Sequence, residues 1–240
     1  DELLEYLQGK GEIKPGDLAV VCAPAAVGKT TLSRQLLRKL VDGVDSFRII
    51  PTYVESSHWG RLQLESVDDL WDIIQNSLST FSSGIALRRD LFEYALRQGY
   101  ICFIFDGFDE LCGHKSAQFN PNEVLQDLAH IAERSDARIV LTTRTLYWNA
   151  EILNPPGNVR VLQLASFNTQ QAKGYFQKFF HSDSKAQQES IKLYSAVVDG
   201  SYRPATPGGA RAQFVNLPVC VVMIAQFVLA QGTQLNVKQR

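Results

Sequence analysis

The apolar residues of the chain fall into two kinds of pattern, and their alternation gives the architecture. Leu18-Ala19-Val20-Val21-Cys22 and Tyr100-Ile101-Cys102-Phe103-Ile104-Phe105 run without polar interruption. The second shows no in-out alternation at all, as expected of a strand buried on both faces of a parallel sheet. Further strands are expected at Phe47 to Val54, Arg138 to Arg144 and Val159 to Leu164; Pro51 argues that the first of these lies at an edge or bulge. Between them, apolar residues recur at helical spacing over Gly28 to Val41, Val67 to Leu78, Ile85 to Arg97 and Asn122 to Arg134. Leu3, Leu4 and Leu7 predict a short helix before Lys14-Pro15-Gly16-Asp17, a turn that launches the first strand. Strands alternating with helices imply a parallel, right-handed α/β sheet that takes its ligand at the carboxyl edge of the strands.

After Ser166 the strand pattern stops. Thr169 to Phe180, Ser184 to Val198 and Pro218 to Ala230 read as helices, with a Gly- and Pro-rich stretch from Asp199 to Arg211. The expected division is therefore 1–166, an α/β domain, and 167–240, a small helical subdomain. The run from Val219 to Ala230 is too short for a bilayer, which takes about 20 residues, and reads as a buried helix.

Composition removes several classes. The 240 residues carry a net charge of −1, so no broad basic footprint for nucleic acid or anionic membrane is expected. The four cysteines lack metal-ligand spacing, and Cys112-Gly113-His114 offers too few ligands; reduced thiols in a cytoplasmic protein are expected. The first residue is Asp1 and the last residues are polar, the pattern of a piece excised from a longer protein.

The candidate chemistry begins at Ala23-Pro24-Ala25-Ala26-Val27-Gly28-Lys29-Thr30-Thr31, set between an expected strand and an expected helix. That context makes a phosphate-binding loop, because the loop N–H groups and the helix dipole both attract an anion. Gly28 admits a close approach of the backbone, Lys29 brings positive charge to β- and γ-phosphates, and Thr30 offers a hydroxyl to Mg²⁺. Ala23 stands where the consensus has its first glycine, a position that asks for a small residue more than for an unusual backbone angle.

Asp106 ends the most apolar strand and is placed to hold Mg²⁺ with Thr30, directly or through water. Asp109 and Glu110 follow it. One of them would orient or deprotonate a water for attack on the γ-phosphate. Glu110 is the favoured base and Asp109 its support, although spacing alone does not settle the order. Arg144, after Thr142-Thr143 at the end of the next strand, would compensate phosphate charge and report its presence. A plain surface ion pair is the competing reading of Arg144.

Taken together, Ala-x-x-x-x-Gly-Lys-Thr, Asp106-Gly107-Phe108-Asp109-Glu110 and Thr142-Thr143-Arg144 resemble the NACHT branch of the STAND P-loop ATPases. Leu164-x-x-Phe167 and Tyr175-Phe176-x-x-Phe179-Phe180 resemble that family's passage into its first helical domain, so the likeness covers about residues 13 to 231. The resemblance implies a five-stranded ASCE-type sheet in the order 5-1-4-3-2 and an ATP/ADP switch between an autoinhibited monomer and an oligomer. Self-association on activation, and effector and sensor domains on either side of this region, are implied with it. In the family a proline of the helical domain packs near adenine, and Asn216-Leu217-Pro218 matches that pattern; Pro218 is equally a simple first helical residue. The function expected is a slowly hydrolysing ATP switch, in innate or antiphage defence. The alternatives are a RecA-like, nucleic-acid-dependent ATPase, prompted by Lys14-Pro15-Gly16-Asp17-Leu18, and a module that binds nucleotide without hydrolysing it.

Overall fold

The strand most apolar in sequence lies inside the sheet, paired on both sides. In the computed structural model, which describes residues 2–7, 12–43, 48–55, 71–72, 75, 88–110, 120–198 and 216–238, the strands are β1 (Leu18–Ala23), β2 (Ile50–Glu55), β3 (Ile101–Asp106), β4 (Arg138–Arg144) and β5 (Val159–Gln163). They form one sheet in the order β2-β3-β4-β1-β5, every neighbouring pair parallel. Read from the other edge this is the expected 5-1-4-3-2. Every residue of β1 and β3 is buried. Pro51 sits on β2, which among the described residues pairs only with β3, so its missing N–H costs the sheet no second ladder.

Both faces of the sheet are covered. The helices of this part are α1 (Glu2–Leu7), α2 (Lys29–Asp42), α3 (Arg89–Arg97), α4 (Pro121–Ser135) and α5 (Thr145–Glu151). Leu18, Val20, Phe103, Phe105, Ile139 and Leu141 pack with apolar residues of α3, α4 and α5. Ala19, Val21, Cys102, Ile104 and Val140 face Leu36 and Leu40 of α2 and Tyr6 and Leu7 of α1. Burial on two faces is the reason β3 lacks alternation. Tyr6 ties α1 down: its hydroxyl donates to the Asp17 carbonyl at 2.7 Å and accepts from the Ile139 N–H at 3.1 Å. The turn before β1 closes through the Asp17 N–H on the Lys14 carbonyl at 3.0 Å, with Gly16 at φ 91° after Pro15.

Element edges differ from the periodicity in informative ways. The helix expected from Ile85 begins at Arg89, because Arg88 is extended; residues 85–87 lie outside the described residues. That helix closes at Gly99 (φ 65°), with the Gly99 N–H on the Leu96 carbonyl and the Tyr100 N–H on the Ala95 carbonyl. Helix α5 was not expected from the pattern. It starts directly at the end of β4, because the side chain of Asp109 accepts from the Arg144 N–H at 3.0 Å and turns the chain out of the sheet. Most of the expected helix from Val67 to Leu78, Cys112, and the stretch from Asp199 to Arg211 lie outside the described residues.

The chain divides into two compact units, Asp1–Pro24 with Lys29–Leu164, and Ala25–Gly28 with Ala165–Arg240. The helical part of the second consists of α6 (Thr169–Phe179), α7 (Ser184–Val198) and α8 (Pro218–Lys238). Asn168 opens α6 with a reciprocal cap to Gln171. Phe176, Phe180, Tyr194, Val221, Ala225 and Val228 form the core. The expectation of a buried last helix is corrected: Val221, Ala225 and Val228 are buried, whereas Met223 (64% exposed) and Phe227 (54%) face outward. An apolar run all round a helix buries only the face its neighbours can reach. Among the described residues no helix is long and apolar enough to cross a membrane.

Two glycines separate strain from propensity. A Cβ on Gly99 meets the Asp136 carbonyl oxygen at 2.8 Å, in a left-handed backbone; one on Gly174, inside α6, meets nothing within 4 Å. Gly99→Ala is expected to lower unfolding free energy by about 2 kcal/mol, and Gly174→Ala to raise it by about 0.5–1 kcal/mol, measured by denaturant titration. The buried thiols supply a second test. Burial pushes Cys22 and Cys102 up to about 12 from an ordinary value of 9.0. Their contribution to stability is whole below pH 9 and is lost as pH rises towards 12. Unfolding free energy should therefore fall by at most about 1.4 kcal/mol per pH unit for each thiol across that window. The fall should be shallower in Cys22→Ala/Cys102→Ala.

Candidate functional site

The candidate site lies at the carboxyl edge of the sheet, where β1, β3 and β4 end side by side. Ala23 closes β1 opposite Arg144 in the register, and Asp106 closes β3. Ala23 is fully buried and has an ordinary backbone. The left-handed angles of the loop fall instead on Ala26 (φ 64°) and Gly28 (φ 103°). Ala25 and Ala26 are exposed and Val27 is buried. Lys29 is the first residue of α2 and is half-buried; Thr30 and Thr31 follow it, exposed. The N–H groups of this first turn have no acceptor within the helix, and the positive end of the dipole lies there.

Asp106 stands beside that turn. Its carboxylate is 8% exposed and is held by hydroxyls from three elements. Oδ1 accepts from Thr142 Oγ1 at 2.6 Å and from Ser33 Oγ at 3.1 Å; Oδ2 accepts from the Tyr53 hydroxyl at 3.1 Å. Thr142 Oγ1 in turn accepts from the Gly107 N–H at 3.1 Å, which ties the turn after β3 to β4. Ser33 Oγ also reaches the Lys29 carbonyl at 3.1 Å, so the carboxylate and the first turn of α2 share a partner. Burial, and then the charge of Asp106, push the Tyr53 hydroxyl up to about 12. It stays a donor at neutral pH.

Of these partners, neither Ser33 nor Tyr53 is singled out by sequence pattern. Ser33 does carry a signal: it is a polar residue on the buried stripe of α2, with Leu36 and Leu40. Tyr53 reads as an ordinary strand aromatic.

The turn that follows β3 carries the other two carboxylates. Phe108 is fully buried and packs edge-on against Tyr147 at 6.1 Å, which anchors the turn. Asp109 Oδ2 pairs with Arg144 Nε at 2.9 Å, while Asp109 Oδ1 takes the Arg144 N–H. The Asp109 side chain is 5% exposed and that of Arg144 54%. Glu110, by contrast, is exposed at the end of the turn. The structure thus links Asp106 to the first turn of α2 through Ser33 and the Lys29 carbonyl, and pairs Asp109 with Arg144. Pro218 is the first residue of α8, in the helical part of the second unit.

The donor set suits a small hard cation. A threonine hydroxyl and a carboxylate are the oxygen ligands Mg²⁺ takes, and the backbone of a helix start suits phosphate. Among the described residues no group of three His, Cys, Asp or Glu side chains offers a separate metal site.

Several solved structures share the fold. Cdc6p from Pyrobaculum aerophilum matches with a TM-score of 0.54 and 14% identity, over 97% of this chain and 61% of that one. A chain of the Drosophila ORC bound to DNA matches with a TM-score of 0.52 and 15% identity, over 94% and 58%. ORC1 from Aeropyrum pernix in complex with DNA gives 0.50 and 15%, over 96% and 62%. The chain spans about three-fifths of the length of each of these proteins. Comparison with curated proteins gives no match. The sequence pattern of the NACHT domain matches residues 18–183, from β1 through α6. The chain belongs to the NACHT domain family, a family of nucleotide-binding P-loop NTPases.

Proposed function

We propose that this chain is the ATP-binding, slowly ATP-hydrolysing switch of a NACHT/STAND signalling protein. The observation that carries the reading is Asp106, held by hydroxyl donors beside the first turn of α2 at Lys29 and Thr30. Residues 1–166 form the nucleotide-binding domain and 167–240 the helical subdomain. In this reading Ala23, Ala25, Ala26, Val27 and Gly28 wrap the phosphates with their backbone, Lys29 neutralises phosphate charge, and Thr31 lies at the helix start. Thr30 and Asp106 would hold Mg²⁺, which would supply charge neutralisation at the phosphates. Pro218 packs near adenine.

Glu110 serves as the base. It accepts a proton from the water whose oxygen attacks the γ-phosphorus; the bond to the β-γ bridging oxygen breaks, and ADP and inorganic phosphate leave. The engagement of Asp109 with Arg144 supports that order of roles. Nucleotide state would control self-association of the larger protein, in the cytoplasm and in innate or antiphage defence, through effector and sensor domains joined to this region. The Asp109–Arg144 pair also favours a second reading for the chain on its own: with its guanidinium held by a buried carboxylate, Arg144 leaves ATP bound and unhydrolysed.

Single-turnover measurement on monomer and oligomer separates the two. Glu110→Gln is expected to keep ATP affinity and to slow hydrolysis by about a hundredfold or more. Unchanged turnover removes Glu110 from the role. Turnover that rises on addition of DNA supports the nucleic-acid-dependent alternative instead.

A further inference from the structure

A carboxylate at the end of a buried strand has about four acceptor positions, and those of Asp106 are unequally used. Oδ1 faces two hydroxyls, of which Thr142 is committed: it donates to Oδ1 and accepts from the Gly107 N–H. Ser33 has one proton and two acceptors at the same 3.1 Å, Oδ1 and the Lys29 carbonyl. Oδ2 has a single side-chain donor among the described residues, Tyr53. The Tyr53 hydroxyl has one proton, and Oδ2 is its acceptor. The ring packs against the apolar cluster on the α2 face of the sheet, beside Ile104 in the register, which limits the direction of the hydroxyl. The exposed Arg34 guanidinium lies beside the tyrosine oxygen and pairs with Glu55 at 3.4 Å.

From this geometry we infer that Tyr53 is a positioning residue for Asp106. Reaching from edge strand β2, it fixes Oδ2 and thereby the way the carboxylate meets a divalent cation on the nucleotide. The inference rests on the Mg²⁺-nucleotide reading of the site and adds a residue to it. Thr142 alone leaves the carboxylate free to turn about its bond to the strand, whereas donors on both oxygens hold it in one plane. Outer donors of this kind orient a metal ligand and tune its affinity. Tyr53 touches neither nucleotide nor cation in this role, so its effect must appear in the cation-dependent part of binding and nowhere else.

The test is ATP binding by the whole 240-residue chain, measured by fluorescence with a labelled ATP, once with excess Mg²⁺ and once with EDTA. Tyr53→Phe keeps the packed ring and removes only the hydroxyl. It is expected to weaken Mg²⁺-dependent affinity about tenfold or more, with the affinity in EDTA unchanged. Ser33→Ala is expected to lose less, because its proton has the Lys29 carbonyl as a second acceptor. Equal Mg²⁺ dependence in wild type and Tyr53→Phe overturns the inference, and so does an equal loss with and without Mg²⁺. A wild-type chain that binds ATP no better with Mg²⁺ than with EDTA overturns the Mg²⁺-nucleotide reading itself, and the inference with it.

Discussion

A carboxylate buried at the end of an interior apolar strand must be solvated by the protein, and the layout around the site follows from that demand. An ionised group out of water is costly unless hydrogen-bonded, and Asp106 is 8% exposed. Its donors come from α2, β2 and β4, so the elements on either side of β3 are drawn to one point. The same contacts bring the strand that carries the acid against the helix start that carries Lys29 and Thr30. Stabilising the charge and assembling the site are one event.

The turn after β3 repeats the device at a second carboxylate. Asp109 has a buried side chain that spends one oxygen on a backbone N–H and the other on a guanidinium. The backbone contact starts α5, and the side-chain contact holds Arg144. A charge-assisted pair with one partner buried is stronger than an exposed one, while the half-open Arg144 keeps water as a competitor.

Much of the fold was legible because its causes are local. Two-faced burial of β3 shows as a run without alternation, the Pro15-Gly16 turn and the Gly99 helix end show as residue types, and Pro51 points to an edge. Helix α5 escaped because its start is set by the side chain of Asp109, which lies 35 residues upstream. The last helix was misjudged for a related reason: apolar content says that a helix can be buried, and only its neighbours decide which face is. At the site, Lys29, Thr30 and Asp106 are visible as a motif. The hydroxyls that hold Asp106 are visible only as a serine on an apolar stripe and a tyrosine in a strand.

By itself, the sequence determined which segments are strands and helices, where turns must fall and which residues carry charge to the carboxyl edge. These depend on periodicity and on backbone preferences within a few residues. The tertiary structure alone decided who satisfies whom. Ser33, Tyr53 and Thr142 lie 73, 53 and 36 residues from Asp106, and strand order together with the seat of α2 on the sheet brings them together. Such partners are chosen by the geometry of a sheet whose neighbours are not neighbours in sequence, and no local pattern encodes that choice.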